Sequence, residues 1–484
     1  MKLDVRHENL DVRHSATAGT VPTDSVCMFV WNTFTNDARV MRECTALAEH
    51  GYDVSLICLL DPNNPDCPER ETMRGFSVER VKKGLPLLNP VFRILLKLKW
   101  FPLALMSVFA IAMMILGHYY ILAAGIAFAL LAAAAFFFKL PTAVSNFGGM
   151  CRMILLGSSK NADVYHANDL NTLFQAYTCA RLFRLKTRKK LVYDSHEVQT
   201  SRTGYGRGAY IFERFFIKRT DANFSENLTR STYTAELYNI DPPVPIYNYS
   251  RPYSYNDTYD KKINLHALLE LDRDVPILLY QGGVQFGRGL DKLVEAAEFI
   301  EEGVIVMIGD GREKPGLREK VRQSGLCEKV RFLDKVPLED LPRYTVNAYL
   351  GFQVLNNTCY NHYSASSNKL YEYIFAHVPV VACDFPEIAR VVREDDIGIL
   401  VDSHSPRDIA KAVNFLVRNK ASRDKMAGNC AAARSKYSWD DEKHKLLSTY
   451  DKLLLHNTQH QPITYQEGHD HEEKAYASGG TESA

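Results

Sequence analysis

Short apolar runs alternate with amphipathic stretches along most of this chain, the pattern of strands and helices taking turns. Val26 to Trp31 is brief and wholly apolar, which fits a strand buried on both faces. A polar loop with Asn32, Thr33, Asn36 and Asp37 follows, then an amphipathic helix from about Arg39 to His50, which Gly51 stops. Tyr52 to Cys58 makes the next strand, completing a right-handed βαβ unit. The series continues at Phe76 to Val81, and resumes at Asp163 to Asp169 with a helix up to about Leu185. Lys190 to Glu197, Ala222 to Glu226 and Val244 to Asn248 follow as strands with their loops. A second series opens at Val275, with strands expected at 277–281, 304–308, 330–333, 348–354 and 378–383 and helices between them.

The fold class predicted is α/β: two Rossmann-like domains, at 24–250 and 263–435, with the polar stretch Ser250 to Lys262 as linker and a C-terminal helix at 436–456. Residues 1–23, which repeat Leu-Asp-Val-Arg-His once, read as a disordered leader, and the polar residues 457–484 as a disordered tail.

One segment breaks the alternation. From Trp100 to Phe138 the chain carries no Asp, Glu, Lys or Arg. The portions on either side of Gly117-His118 would reach about 26 and 30 Å as helices, near one hydrocarbon thickness each. A soluble core helix keeps a polar stripe on its outer face, and this stretch has none. Arg93, Lys97 and Lys99 precede it, and Lys139 and Arg152 follow, so both ends belong on the cytoplasmic side. The expectation is a membrane hairpin at 100–138, inserted into the first domain and holding it at the cytoplasmic face of the bilayer.

Among 484 residues the formal net charge is +1, which argues against a nucleic-acid partner. Ten cysteines are scattered without a CxxC pair or zinc-ligand spacing, pointing to a reducing compartment.

Two Rossmann-like domains create a cleft at the carboxyl ends of both strand sets, so chemistry is expected in the loops there. Gly282 to Gly289 (GGVQFGRG) follows a strand and precedes a helix, a turn able to cradle a diphosphate. Val306 to Gly311 (VMIGDG) and Ser364 to Ala376 (SASSNKLYEYIFA) come next. In order and spacing these segments resemble the donor domain of the retaining glycosyltransferases of family 4, which have the GT-B fold.

The resemblance implies a nucleotide-sugar site. Arg288 stands where relatives carry a basic residue beside the donor diphosphate, and Gly283 replaces the family's other common basic residue. Glu372 takes the place of the glutamate that accepts from the ribose hydroxyls, with Lys369 and the amides of Ser366, Ser367 and Asn368 near the diphosphate and Gly311 in the same site. Ser364 replaces the family's sugar-proximal glutamate. In the first domain His196 resembles the family histidine near the anomeric carbon, and Glu197 beside it is a candidate acceptor-side base. Asn36, Asp37, Arg39, His166 and Asp169 are the expected acceptor-side groups. No cofactor and no metal ion is implied. The expected activity is transfer of a sugar, with retention, from a nucleotide-diphosphate sugar to a saccharide acceptor; the hairpin points to a lipid-linked one. An epimerase or hydrolase of the same fold, or a donor-binding membrane scaffold, are the alternatives.

Overall fold

The computed structural model describes residues 24–35, 37–64, 66–84, 142–184, 187–202 and 205–458. The leader at 1–23, the hairpin at 100–138 and the tail from 459 lie outside them. Among the described residues, no helix is long and apolar enough to cross a membrane.

The first sheet has eight strands: β1 (Ser25–Phe29), β2 (Asp53–Leu59), β3 (Arg70–Met73), β4 (Phe76–Val81), β5 (Val164–Asn168), β6 (Lys190–Ser195), β7 (Ala222–Ser225) and β8 (Val244–Pro245). Their order is β3-β4-β2-β1-β5-β6-β7-β8, parallel except for β3. The second sheet holds β9 (Ile277–Gln281), β10 (Val304–Ile308), β11 (Val330–Leu333), β12 (Leu350–Gln353), β13 (Val380–Cys383) and β14 (Gly398–Val401), all parallel in the order β11-β10-β9-β12-β13-β14.

The apolar runs are strands because both faces of each sheet are covered. Along β1, Val26 and Met28 face a core built with Leu47, Trp439 and Tyr450. Cys27 and Phe29 face the opposite core, with Met153, Leu173 and Phe216. Strand alternation at a period of two divides a continuous apolar run between two helix layers. Each large side chain buried this way contributes about 1.5–3 kcal/mol. In the second sheet Ile277 and Leu279 pack on the helix Asn368–Phe375, while Leu278 and Tyr280 pack on Leu290–Ala296 and Pro406–Arg418.

The chain finally returns to the first sheet through the helix Trp439–Thr458. Tyr450 Oη lies 2.6 Å from His166 Nδ1, Tyr52 Oη donates to Asp451 at 2.6 Å, and Tyr247 N donates to Glu442 at 2.9 Å.

Two expectations need correction, and one element was missed. The stretch 250–262 is not a bare linker, because Ser254 caps a helix Tyr255–Asp260 whose Tyr255 stacks on His377 at 3.8 Å. The helix expected to reach Leu185 gives way after Tyr177 to a π-turn, Thr178–Leu182. The antiparallel edge strand β3 was not expected, since Arg-Glu-Thr-Met has no apolar alternation and owes its shape to pairing with β4.

Candidate active site

Strand order reverses between β1 and β5 in the first sheet and between β9 and β12 in the second. At such a switch point the loops leaving neighbouring strands diverge and open a crevice. The loops after these strands meet across one cleft of about 1220 Å³, lined from both halves of the chain.

From the second half, Gly282, Gly283, Arg288, Ser366, Ser367, Asn368, Lys369 and Glu372 line it. The glycine loop must run tight here: Gly289 has φ +73, and a Cβ on it would overlap the carbonyl oxygen of Val354. Lys369 is almost wholly buried, with Nζ 3.4 Å from Tyr280 Oη and 4.5 Å from the centre of its ring. Burial, with Arg288 adding to it against the pull of Glu372, lowers the ammonium's pKa to about 7. Glu372 accepts from Gln281 Nε2 at 2.5 Å, and burial raises its pKa. The helix Asn368–Phe375 begins at Ser367, whose side chain makes no capping bond, so the amides of Asn368 and Lys369, two cleft-lining residues, are not taken up by a side-chain cap. Ser366 spends its hydroxyl on Tyr371 Oη at 2.8 Å. Gly311 does not line the cleft; a Cβ there would strike the Val284 carbonyl, so this glycine serves the packing of the loop.

From the first half come Asp37, Arg39, His196, Glu197 and Arg230. Asp37 caps the helix Ala38–Glu49, accepting from Val40 N at 3.2 Å. Arg39, expected near the helix start, is buried and grips Asp194 in a two-point pair, Nε to Oδ2 at 2.8 Å and Nη2 to Oδ1 at 2.9 Å. Asp194 also faces His196 Nε2 at 3.2 Å, while His196 Nδ1 lies 3.8 Å from Asp169 Oδ2. Burial opposes charge on this imidazole, yet Asp169 and Asp194 together raise its pKa to about 10. With both ring nitrogens facing carboxylates, His196 offers the cleft a fixed positive charge rather than a free base. Glu197 pairs with Arg202 at 3.2 Å at the cleft wall. Asn36 lies outside the described residues.

His166 and Asp169 are not part of the cleft lining. His166 has no exposed area, and burial lowers its pKa to about 3, so it is a neutral core histidine held by Tyr450. Asp169 is partly exposed beside the cleft and accepts from the His196 amide at 3.2 Å. Glu43, His166 and Asp194 gather closely enough to suggest ion ligands. Arg39 already supplies the positive charge there, contacting Asp194 and Glu43.

Ser364 also departs from its expected place. It is fully buried, is not part of the cleft lining, and its hydroxyl donates to the Tyr360 carbonyl at 2.7 Å while accepting from Arg230 Nε at 3.1 Å. Arg230 was not singled out from sequence, because four residues after Glu226 it reads as an ordinary helix ion pair. Folded, it joins the two halves: Nη1 donates to the His196 carbonyl at 2.6 Å and Nη2 to the Asn361 carbonyl at 3.0 Å. Asn361, also missed, bonds back to both the amide and carbonyl of Val198, at 2.8 and 3.2 Å. Neither residue had a spacing that could have marked it.

Residues 262–432 match the family Glycosyl transferases group 1. A D-inositol 3-phosphate glycosyltransferase from Xylanimonas cellulosilytica is 25% identical over 257 residues, covering 50% of this chain and 60% of that protein. The chain thus spans less than two thirds of the length of this curated relative. Among solved structures, the sucrose-phosphate synthase of Thermosynechococcus elongatus superposes with a TM-score of 0.62 at 15% identity, over 90% of this chain and 100% of that one. HepE of Anabaena, solved in complex with UDP, does so with a TM-score of 0.60 at 13% identity, over 89% and 100%. The chain thus has the GT-B fold, and its segment 262–432 matches the glycosyl transferases group 1 family.

Proposed function

We propose that the protein is a retaining, family 4 glycosyltransferase that moves a sugar from a nucleotide-diphosphate sugar to a lipid-linked saccharide at the cytoplasmic face of a membrane. The observation that carries this reading is the composition of the cleft between the two sheets: Glu372, Lys369, Arg288 and the start of the helix Asn368–Phe375 on one wall, His196 on the other. Glu372 suits two adjacent ribose hydroxyls. Arg288, Lys369 and the amides after Ser366 offer positive potential to a departing diphosphate, so no bound cation is required for the leaving group. His196 places a second positive charge opposite them, where charge shifts as the sugar leaves. The HepE neighbour solved with UDP supports a nucleotide diphosphate as the donor part. A lipid-linked acceptor and a hairpin anchor rest on the apolar sequence 100–138.

Thermal-shift screening of the full-length protein against nucleotide sugars tests the donor site, since a bound ligand raises the unfolding temperature. One or more should stabilise it, and Glu372→Gln should weaken that binding about tenfold, the worth of a charge-assisted hydrogen bond. Unchanged affinity in this variant rules out the ribose role. Turnover of the donor without acceptor favours the hydrolase reading, and the anomeric form of the product, read by proton NMR, decides retention.

A further inference from the structure

Among the described residues, the helices 142–160, Leu170–Tyr177 with its π-turn, and Arg207–Ile217 pack on one face of the first sheet. They form one layer. Phe216 packs edge-on against Tyr177 at 4.9 Å, Cys179 Sγ donates to the Ile154 carbonyl at 3.4 Å, and Arg184 Nη2 donates to the Ser158 carbonyl at 3.1 Å.

The outside of this layer is unusual for a soluble surface. On Arg207–Ile217 the exposed side chains include Ile211 (64% accessible), Phe212 and Phe215 (46%), set among Arg207, Arg214 and Lys218. Residues 207, 211, 214, 215 and 218 fall on one helical face, so apolar and cationic groups share a single stripe. Glu213 is the only acidic residue between 205 and 219, and it points inward, accepting from Tyr193 Oη at 2.8 Å and Tyr238 Oη at 2.7 Å. The neighbouring elements of the layer also carry exposed apolar side chains, Phe183 (57%) and Leu155 (67%). Arg219 lies over the Phe215 ring at 3.6 Å, a cation held beside an exposed aromatic.

We propose that this layer lies on a lipid surface bearing anionic headgroups, with Ile211, Phe212 and Phe215 among the acyl chains and Arg207, Arg214 and Lys218 against headgroup phosphates. Two features select this occupant. A stripe of cations without exposed acids repels a second copy of itself but complements an anionic surface. The apolar sequence 100–138 also ends just before residue 142, where the first helix of the layer begins, so the chain enters this layer directly from its most hydrophobic segment. The proposal extends the membrane reading above by stating which face meets the bilayer, and it does not depend on turnover.

The test uses the full-length protein in vesicles of brominated phosphatidylcholine, with and without phosphatidylglycerol. Ile211→Trp places a fluorophore on the stripe, and Phe415→Trp places one at an exposed phenylalanine of the second half. Relative to the parent protein, emission from Ile211→Trp should be quenched severalfold more than that from Phe415→Trp. The excess should fall when phosphatidylglycerol is omitted or salt is raised. Equal quenching of the two variants overturns the proposal. Quenching at Ile211→Trp that ignores both lipid charge and salt overturns the headgroup contacts. Because donor binding is read separately by thermal shift, loss of this docking and loss of the transferase reading remain distinguishable.

Discussion

At the scale of single residues, the buried charges decide what the cleft can bind. With the Lys369 pKa near 7, the free site is cationic at that position below neutrality and neutral above it. A bound diphosphate favours the ammonium, so above pH 7 binding must take up a proton. Nucleotide-sugar affinity is therefore expected to be greatest below pH 7 and to fall by up to about tenfold per unit above it, until the lysine's pKa in the complex is passed. Calorimetric titration across pH checks this, and Lys369→Met should bind more weakly with a flat profile. A parent profile that is flat, or that rises with pH, removes Lys369 from the diphosphate site. Lys369 and Glu372 were legible through the resemblance of their segment to the family 4 donor motif, and the structure puts both on the cleft wall. Ser364 was not. Its neighbours in sequence could not show that its hydroxyl is turned away from the cleft, toward Tyr360 and Arg230. His166 misled for the same reason: read as a strand-end residue facing the crevice, it is the middle residue of β5, and its imidazole bonds Tyr450, 284 residues away.

At the scale of elements, most strands could be read because burial on both faces leaves an apolar run, and glycine marks where the chain must turn. Gly289 carries that logic into a prediction. Gly289→Ala forces a left-handed backbone onto a residue with a Cβ, which alone costs about 1–2 kcal/mol, and drives that Cβ into the Val354 carbonyl. Urea unfolding should show a loss larger than the backbone term, with weaker donor binding as the loop shifts. Gly208→Ala, at an exposed helical position with open space around it, should be neutral or slightly stabilising. Equal stabilities for the two variants would show that the tight turn carries no strain. Elements whose form comes from a partner were not readable: β3 exists through its pairing with β4, and the capped helix Tyr255–Asp260 through Ser254 and the stacking on His377.

At the scale of the molecule, the two halves are joined where the chemistry is proposed to occur. Arg230 links the carbonyls of His196 and Asn361 with the Ser364 hydroxyl, and Thr229 N donates to Glu387 at 2.8 Å across the same boundary. Arg230→Gln should therefore loosen closure rather than remove a donor contact. The expected outcome is a lower kcat with a smaller change in the donor KM, and a larger radius of gyration by X-ray scattering in the presence of the nucleotide sugar. An unchanged radius with an unchanged kcat means that Arg230 is only a local helix partner. By itself the sequence determined the two α/β halves, the glycine loop and the helix bearing Lys369 and Glu372, because strand burial, tight turns and helix starts are set by residues close along the chain. Only the tertiary structure decided that Arg39 is a buried partner of Asp194, that Ser364 and Arg230 bind the halves together, and that both ring nitrogens of His196 face carboxylates. Those outcomes depend on side chains brought together from distant segments, and on the low dielectric that encloses them once the sheets have packed.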